Sequence, residues 1–103
     1  TATAEVPLLL GASPVFVDVD PRTYNIDVAD LEHRIARVRA EGKLVPKAIM
    51  PVDLFGLPAD YAALGTIAER DGMHLVADAA QSFGGAQGNK KVGSLAPVTA
   101  TSF

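Results

Sequence analysis

What most constrains the fold of this 103-residue chain is an alternation of short apolar runs with segments of helical periodicity. Residues 14–18 (PVFVD), 47–52 (KAIMPV) and 73–77 (MHLVA) are brief, apolar and rich in Val, Ile and Ala, and read as buried strands. Between the first two, Val28, Leu31, Ile35 and Val38 recur at helical spacing. Asp27 is placed to cap that helix, Asp30 stands three residues on, Ile26 can staple against Leu31, and Gly42 ends it. A second helix is expected from about Ala59, with Asp60 in its first turn, a buried stripe of Leu64, Ile67 and Ala68, and Gly72 as its stop. Strand–helix–strand–helix–strand predicts an α/β fold, with a mostly parallel sheet, right-handed crossovers and helices on its faces. In such sheets a ligand crevice opens at the carboxyl ends of the strands.

The rest of the chain is less regular. Thr3 can cap an opening helix that runs to Leu10 and stops at Gly11, although Pro7 removes one backbone bond from it. Gln87-Gly88-Asn89-Lys90 reads as a two-residue hairpin, and Pro97–Phe103 as a last strand. The chain opens without Met and stops inside that strand, so residues 1–103 are expected to be one partial domain, truncated at both ends. With 49% apolar residues the chain can bury a core. A net charge of −3 without a basic run argues against nucleic acid or an anionic membrane as partner. No cysteine is present, which excludes disulfides and thiolate chemistry, and no apolar run reaches membrane length. A soluble, cytoplasmic protein is the expectation.

Function is best sought in residues 74–84, HLVADAAQSFG, where an apolar strand ends at Asp78. A carboxylate at the mouth of a buried strand is costly unless a partner meets it. Two readings stand: a turn or capping acid bonded to local N–H groups, or a counter-ion for a cationic ligand. Asp53 ends the preceding strand on the same edge. Gln81 and Ser102 are uninformative alone. His33 and His74 lack companions at metal-ligand spacing, so no metal site is expected. No Ser-His-Asp arrangement and no Gly-rich phosphate fingerprint is evident, and Lys90-Lys91 reads as a solvated hairpin.

Five segments resemble the DegT/DnrJ/EryC1/StrS sugar aminotransferases: GASPVFVDVDPRTYNID (11–27), AIMPVDLFGLPAD (48–60), ADAAQSFGG (77–85), KKVGS (90–94) and TSF (101–103). They stand in the family's order and at its spacing. The resemblance implies a three-layer α/β/α architecture, part of the large domain of an aspartate-aminotransferase-like (fold type I) enzyme that uses pyridoxal 5'-phosphate. It pairs Asp78 with the cofactor's pyridine nitrogen, sets Gln81 near the ring hydroxyl and gives Ser102 to the phosphate. The family's Schiff-base lysine lies a few residues beyond the equivalent of Phe103, and its ring-stacking aromatic and a phosphate-binding turn lie before the equivalent of Thr1. The chain is therefore expected to hold cofactor-binding residues and no catalytic residue, and alone to be inactive; Lys90 and Lys91 sit in the wrong motif to replace that lysine.

The implied reaction is transamination of a nucleotide-linked keto-sugar for surface polysaccharide, with glutamate as donor, in a homodimer. TSF resembles the subgroup acting on UDP-linked 3-keto sugars. The alternatives are a sugar dehydratase or a keto-cyclitol aminotransferase of the same family, or a non-catalytic domain with the fold alone.

Overall fold

A computed structural model of the chain describes residues 2–53, 57–80, 86–87, 90–91 and 96–100. Its elements, in chain order, are α1 (Ala2–Leu9), α2 (Val28–Glu41), β1 (Ala48–Ile49), α3 (Tyr61–Asp71), β2 (His74–Asp78), β3 (Ala86–Gln87), β4 (Lys90–Lys91) and β5 (Val98–Ala100). No helix among the described residues is long and apolar enough to cross a membrane.

The two long helices follow from their ends. The Asp27 side chain accepts the Asp30 N–H, and Gly42 closes α2 in the left-handed conformation at φ 71°. Asp60 caps α3 by accepting the Ala63 N–H, and Gly72 closes it at φ 65°. A residue with a Cβ is strained at those φ values, so glycine supplies the stop. Asp60 is thus the cap itself and not a first-turn residue, and α3 begins at Tyr61. Asp30 does not complete a reciprocal capping box. Its carboxylate accepts the Asp18 N–H at 2.8 Å, while the Asp27 N–H goes to the Asp18 carbonyl. That amide bond, more than Arg34, holds the Asp30 carboxyl below its usual range.

The same contacts explain why residues 14–18 form no strand. The backbone of Asp18 is satisfied by the start of α2, and only Val19 makes an isolated antiparallel bridge, to Ile26. Val15 and Phe16 remain exposed, whereas Val17 packs on the core. Helix α1 forms despite Pro7, which it contains. It starts at Ala2, so Thr3 lies inside its first turn instead of capping it.

Strands β1, β2 and β5 form a parallel sheet with β2 in the centre. β3 and β4 pair antiparallel, Gln87 opposite Lys90, in the register of a hairpin whose two-residue connection lies outside the described residues. Side chains alternate across β2. Leu75 and Ala77 point into a core built with Leu31 and Ile35 of α2, Ile49 of β1 and Tyr61, Leu64, Ile67 and Ala68 of α3. Two helices therefore cover one face of the sheet. Outside the core, Arg39 and Arg70 tie α2 to α3 through Asp71 and Glu32 at 2.8–3.0 Å.

Candidate functional site

The carboxyl edge of the sheet brings two acids together. Beyond β1 the chain continues beside β2: Val52 bridges Asp78 in parallel, the Asp78 N–H donates to the Pro51 carbonyl at 2.9 Å, and the Asp53 N–H donates to the Asp78 carbonyl at 3.0 Å. Val52 and Asp78 therefore share a face, and Asp53, one residue further, faces the other way.

Asp53 faces the core and is wholly buried. Its Oδ1 accepts the Ala59 N–H at 2.9 Å and the Tyr61 hydroxyl at 2.6 Å. Burial, then the hydrogen bond to Asp53 and its charge, push the Tyr61 phenol far above its ordinary range. The Asn25 amide, also buried, donates to the carbonyls of Leu57 and Pro58 at 2.9 and 3.3 Å. These bonds anchor the segment leading into α3. Asp53 is consequently a structural acid, and its place on the edge does not make it a ligand contact.

Asp78 faces away from the α2–α3 core and is partly exposed. Its Oδ2 accepts the Thr3 hydroxyl at 2.6 Å, and its Oδ1 accepts the Ala80 N–H at 3.3 Å. Of the two sequence readings, the local N–H bond exists but is long. Among the side chains that the structure describes, which do not include those of Lys90 and Lys91, no cation lies within ion-pair distance of this carboxylate. Two donors orient it, and an ionised carboxylate retains further acceptor capacity. Gln81 and Ser102 lie outside the described residues. Thr3 was not among the residues singled out for this site, since nothing local links positions 75 residues apart.

A groove of about 730 Å³ adjoins this edge, with Thr3 and Val52 in its lining. It runs between α1, residues 11–19, α2 and residues 44–52, and Asp78 is not part of its lining. Its walls are mainly apolar, with Val15, Phe16 and Val45 exposed. No group of three or more His, Asp or Glu side chains suited to a metal ion occurs among the described residues.

Comparison with known proteins locates this edge in a larger setting. The model of the DegT/DnrJ/EryC1/StrS aminotransferase family matches residues 1–103. The UDP-2-acetamido-2-deoxy-3-oxo-D-glucuronate aminotransferase of Pseudomonas aeruginosa is 47% identical over 102 residues, covering 99% of this chain and 26% of the relative. A UDP-N-acetyl-3-dehydro-alpha-D-glucosamine 3-aminotransferase of Acidithiobacillus ferrooxidans is 40% identical over the same shares. The crystal structure of a DegT DnrJ EryC1 StrS aminotransferase from Brucella abortus superposes with a TM-score of 0.97 at 57% identity, covering 99% of this chain and 27% of that one. The chain spans about a quarter of the length of the relatives it matches.

Proposed function

This chain belongs to the DegT/DnrJ/EryC1/StrS aminotransferase family, and from that premise we propose that the protein transfers an amino group to a nucleotide-linked keto-sugar, using pyridoxal phosphate and taking the amino group from glutamate. Residues 1–103 would be part of its large, three-layer cofactor-binding domain of fold type I. The kinship to two enzymes named for UDP-linked oxo or dehydro sugars favours a UDP-linked substrate. A homodimer working in the cytoplasm is the setting that goes with this reading.

One observation carries the reading. A carboxylate stands at the carboxyl end of the central strand, turned away from the core, oriented by two donors and without a cationic partner among the side chains that the structure describes. This acceptor fits a protonated ring nitrogen, because an acceptor-only group with spare lone pairs is what an N–H⁺ requires. Asp78 would hold the proton on that nitrogen, Gln81 would lie beside the ring hydroxyl, and Ser102 would bind the phosphate. When bound, the cofactor supplies an electron-withdrawing ring that accepts the charge developed at the carbon whose amino group is moved. What the chain adds is a fixed negative charge on a rigid strand, with the buried core behind it and the Thr3 hydroxyl beside it.

Asp78→Asn in the whole protein tests this. The variant keeps the shape and loses the charge. Turnover is expected to fall roughly 10²- to 10³-fold, the equivalent of about 2.7–4.1 kcal/mol, with a changed absorbance of the bound cofactor. Near-normal turnover with an unaltered spectrum would end the assignment.

A further inference from the structure

We propose that Thr3 is a positioning residue for the Asp78 carboxylate: the first turn of α1 supplies the hydroxyl that fixes the plane in which Asp78 meets the cofactor's ring nitrogen. The inference rests on the reading of Asp78 given above and adds a residue that this reading does not contain.

The geometry is specific. Thr3 Oγ1 donates to Asp78 Oδ2 at 2.6 Å across 75 residues of sequence. That length is typical of a charge-assisted O–H···O⁻ bond, which is about twice as strong as a neutral one. Inside a helix a Thr hydroxyl can bond back to a carbonyl three or four residues earlier. Thr3 stands in the first turn of α1, and its hydroxyl goes instead to Asp78 of β2. The β-branched side chain has few rotamers, so the donor is stiff.

The recipient needs such help. The terminal torsion of an Asp side chain is broad, and its carboxylate plane is set by whatever bonds to it. The other described donor to this carboxylate is the Ala80 N–H, at 3.3 Å and on the opposite oxygen. Without Thr3, the plane would be governed by that one long bond. With both, each oxygen has a donor and the remaining lone pairs point in fixed directions. Positioning of this kind affects rate steeply, because small misplacements of a group that meets the reacting system lower turnover out of proportion to the binding lost.

The test uses the whole protein, reconstituted from its apo form with pyridoxal phosphate. Thr3→Val removes the hydroxyl and keeps the branched shape; Thr3→Ser keeps the hydroxyl; Thr3→Ala is a second hydroxyl-free variant should Val not give folded protein. The hydroxyl-free variants are expected to lose about ten- to a hundredfold in kcat, as follows for a hydrogen bond to a charged group. The sugar KM should stay within about twofold. The absorbance of the bound cofactor should shift in the same direction as in Asp78→Asn, and its affinity should weaken measurably on titration. Thr3→Ser is expected to restore kcat to within about threefold of the parent. Because Thr3 acts through Asp78, adding Thr3→Val to Asp78→Asn should cost almost nothing more.

Parent-like kcat and spectrum in Thr3→Val, a Thr3→Ser variant as slow as Thr3→Val, or a further tenfold loss in the double variant would each overturn the proposal. The two levels separate cleanly. An active Asp78→Asn defeats the assignment of Asp78, whereas an inactive Asp78→Asn beside a parent-like Thr3→Val defeats only the role of Thr3.

Discussion

Asp53 and Asp78 are the same residue type, at the same edge of adjacent strands, joined by a backbone hydrogen bond of 3.0 Å. One is wholly buried and bonded to the Ala59 N–H and the Tyr61 hydroxyl. The other faces off the core, bonded to a hydroxyl from α1 and a long N–H. A single step along a pleated strand separates these fates, because successive side chains point to opposite faces. Position at the carboxyl edge therefore does not by itself leave an acid open to a ligand; the face decides.

The strongest way to break this comparison is to truncate both acids and measure stability. Asp53→Ala strips the acceptor from two buried donors and leaves a void beside Tyr61 of α3. A loss of about 3–4 kcal/mol is expected in chemical denaturation of the whole protein. Asp78→Ala removes acceptors from Thr3 and Ala80, which are less enclosed, and should lose less than about 1 kcal/mol. Equal losses would mean that the two acids are not divided into structural and ligand-facing roles.

A finer cut removes one bond to Asp53. Tyr61→Phe should destabilise by about 1–2 kcal/mol, since the carboxylate keeps its bond to the Ala59 N–H. This pair also predicts a pH dependence. Burial and Asp53 raise the Tyr61 phenol far above its ordinary value in the folded protein. In the unfolded chain it ionises near pH 10. The folded state thus holds the proton more tightly, so the stabilisation is complete below about pH 10 and declines as pH rises beyond it. In Tyr61→Phe this part of the alkaline loss should disappear, and an alkaline unfolding series on both proteins measures it. An unchanged alkaline slope would show that the Tyr61–Asp53 contact does not control the segment into α3.

What could be read from the sequence divides along the same physical line. Caps are local: Asp27 and Gly42 bracket α2, and Asp60 and Gly72 bracket α3, by contacts within a few residues. The parallel sheet followed from the alternation of elements, and Asp78 from the abrupt end of an apolar strand. Long-range partners were not legible. Residues 14–18 have strand composition, yet the Asp18 backbone is claimed by Asp27 and Asp30. The Thr3–Asp78 bond joins the first turn of the chain to its central strand, and no periodicity encodes that meeting. The face that Asp53 takes depends on register, which is set by pairing and not by composition. The resemblance to known enzymes supplied a role for Asp78 that the residues alone left between two readings.

The smallest expected effect sharpens the comparison from outside the site. Arg39 pairs with Asp71 at 3.0 Å, with the Arg side chain 45% exposed and the Asp 12% exposed. Asp71 is also held by Arg70 at 2.9 Å, and these two cations keep its carboxyl below the usual range. Arg39→Ala should therefore cost no more than about 0.2–1 kcal/mol, since solvent screens the arginine and Arg70 still serves the acid. The loss should shrink as salt is raised, and cofactor binding should not change. A larger loss, insensitive to salt, would mean that a half-exposed ion pair between two helices matters as much as the buried Asp53 cluster. Burial would then not be what separates the acids of this fold, and the contrast between Asp53 and Asp78 would need a cause other than the face each one takes.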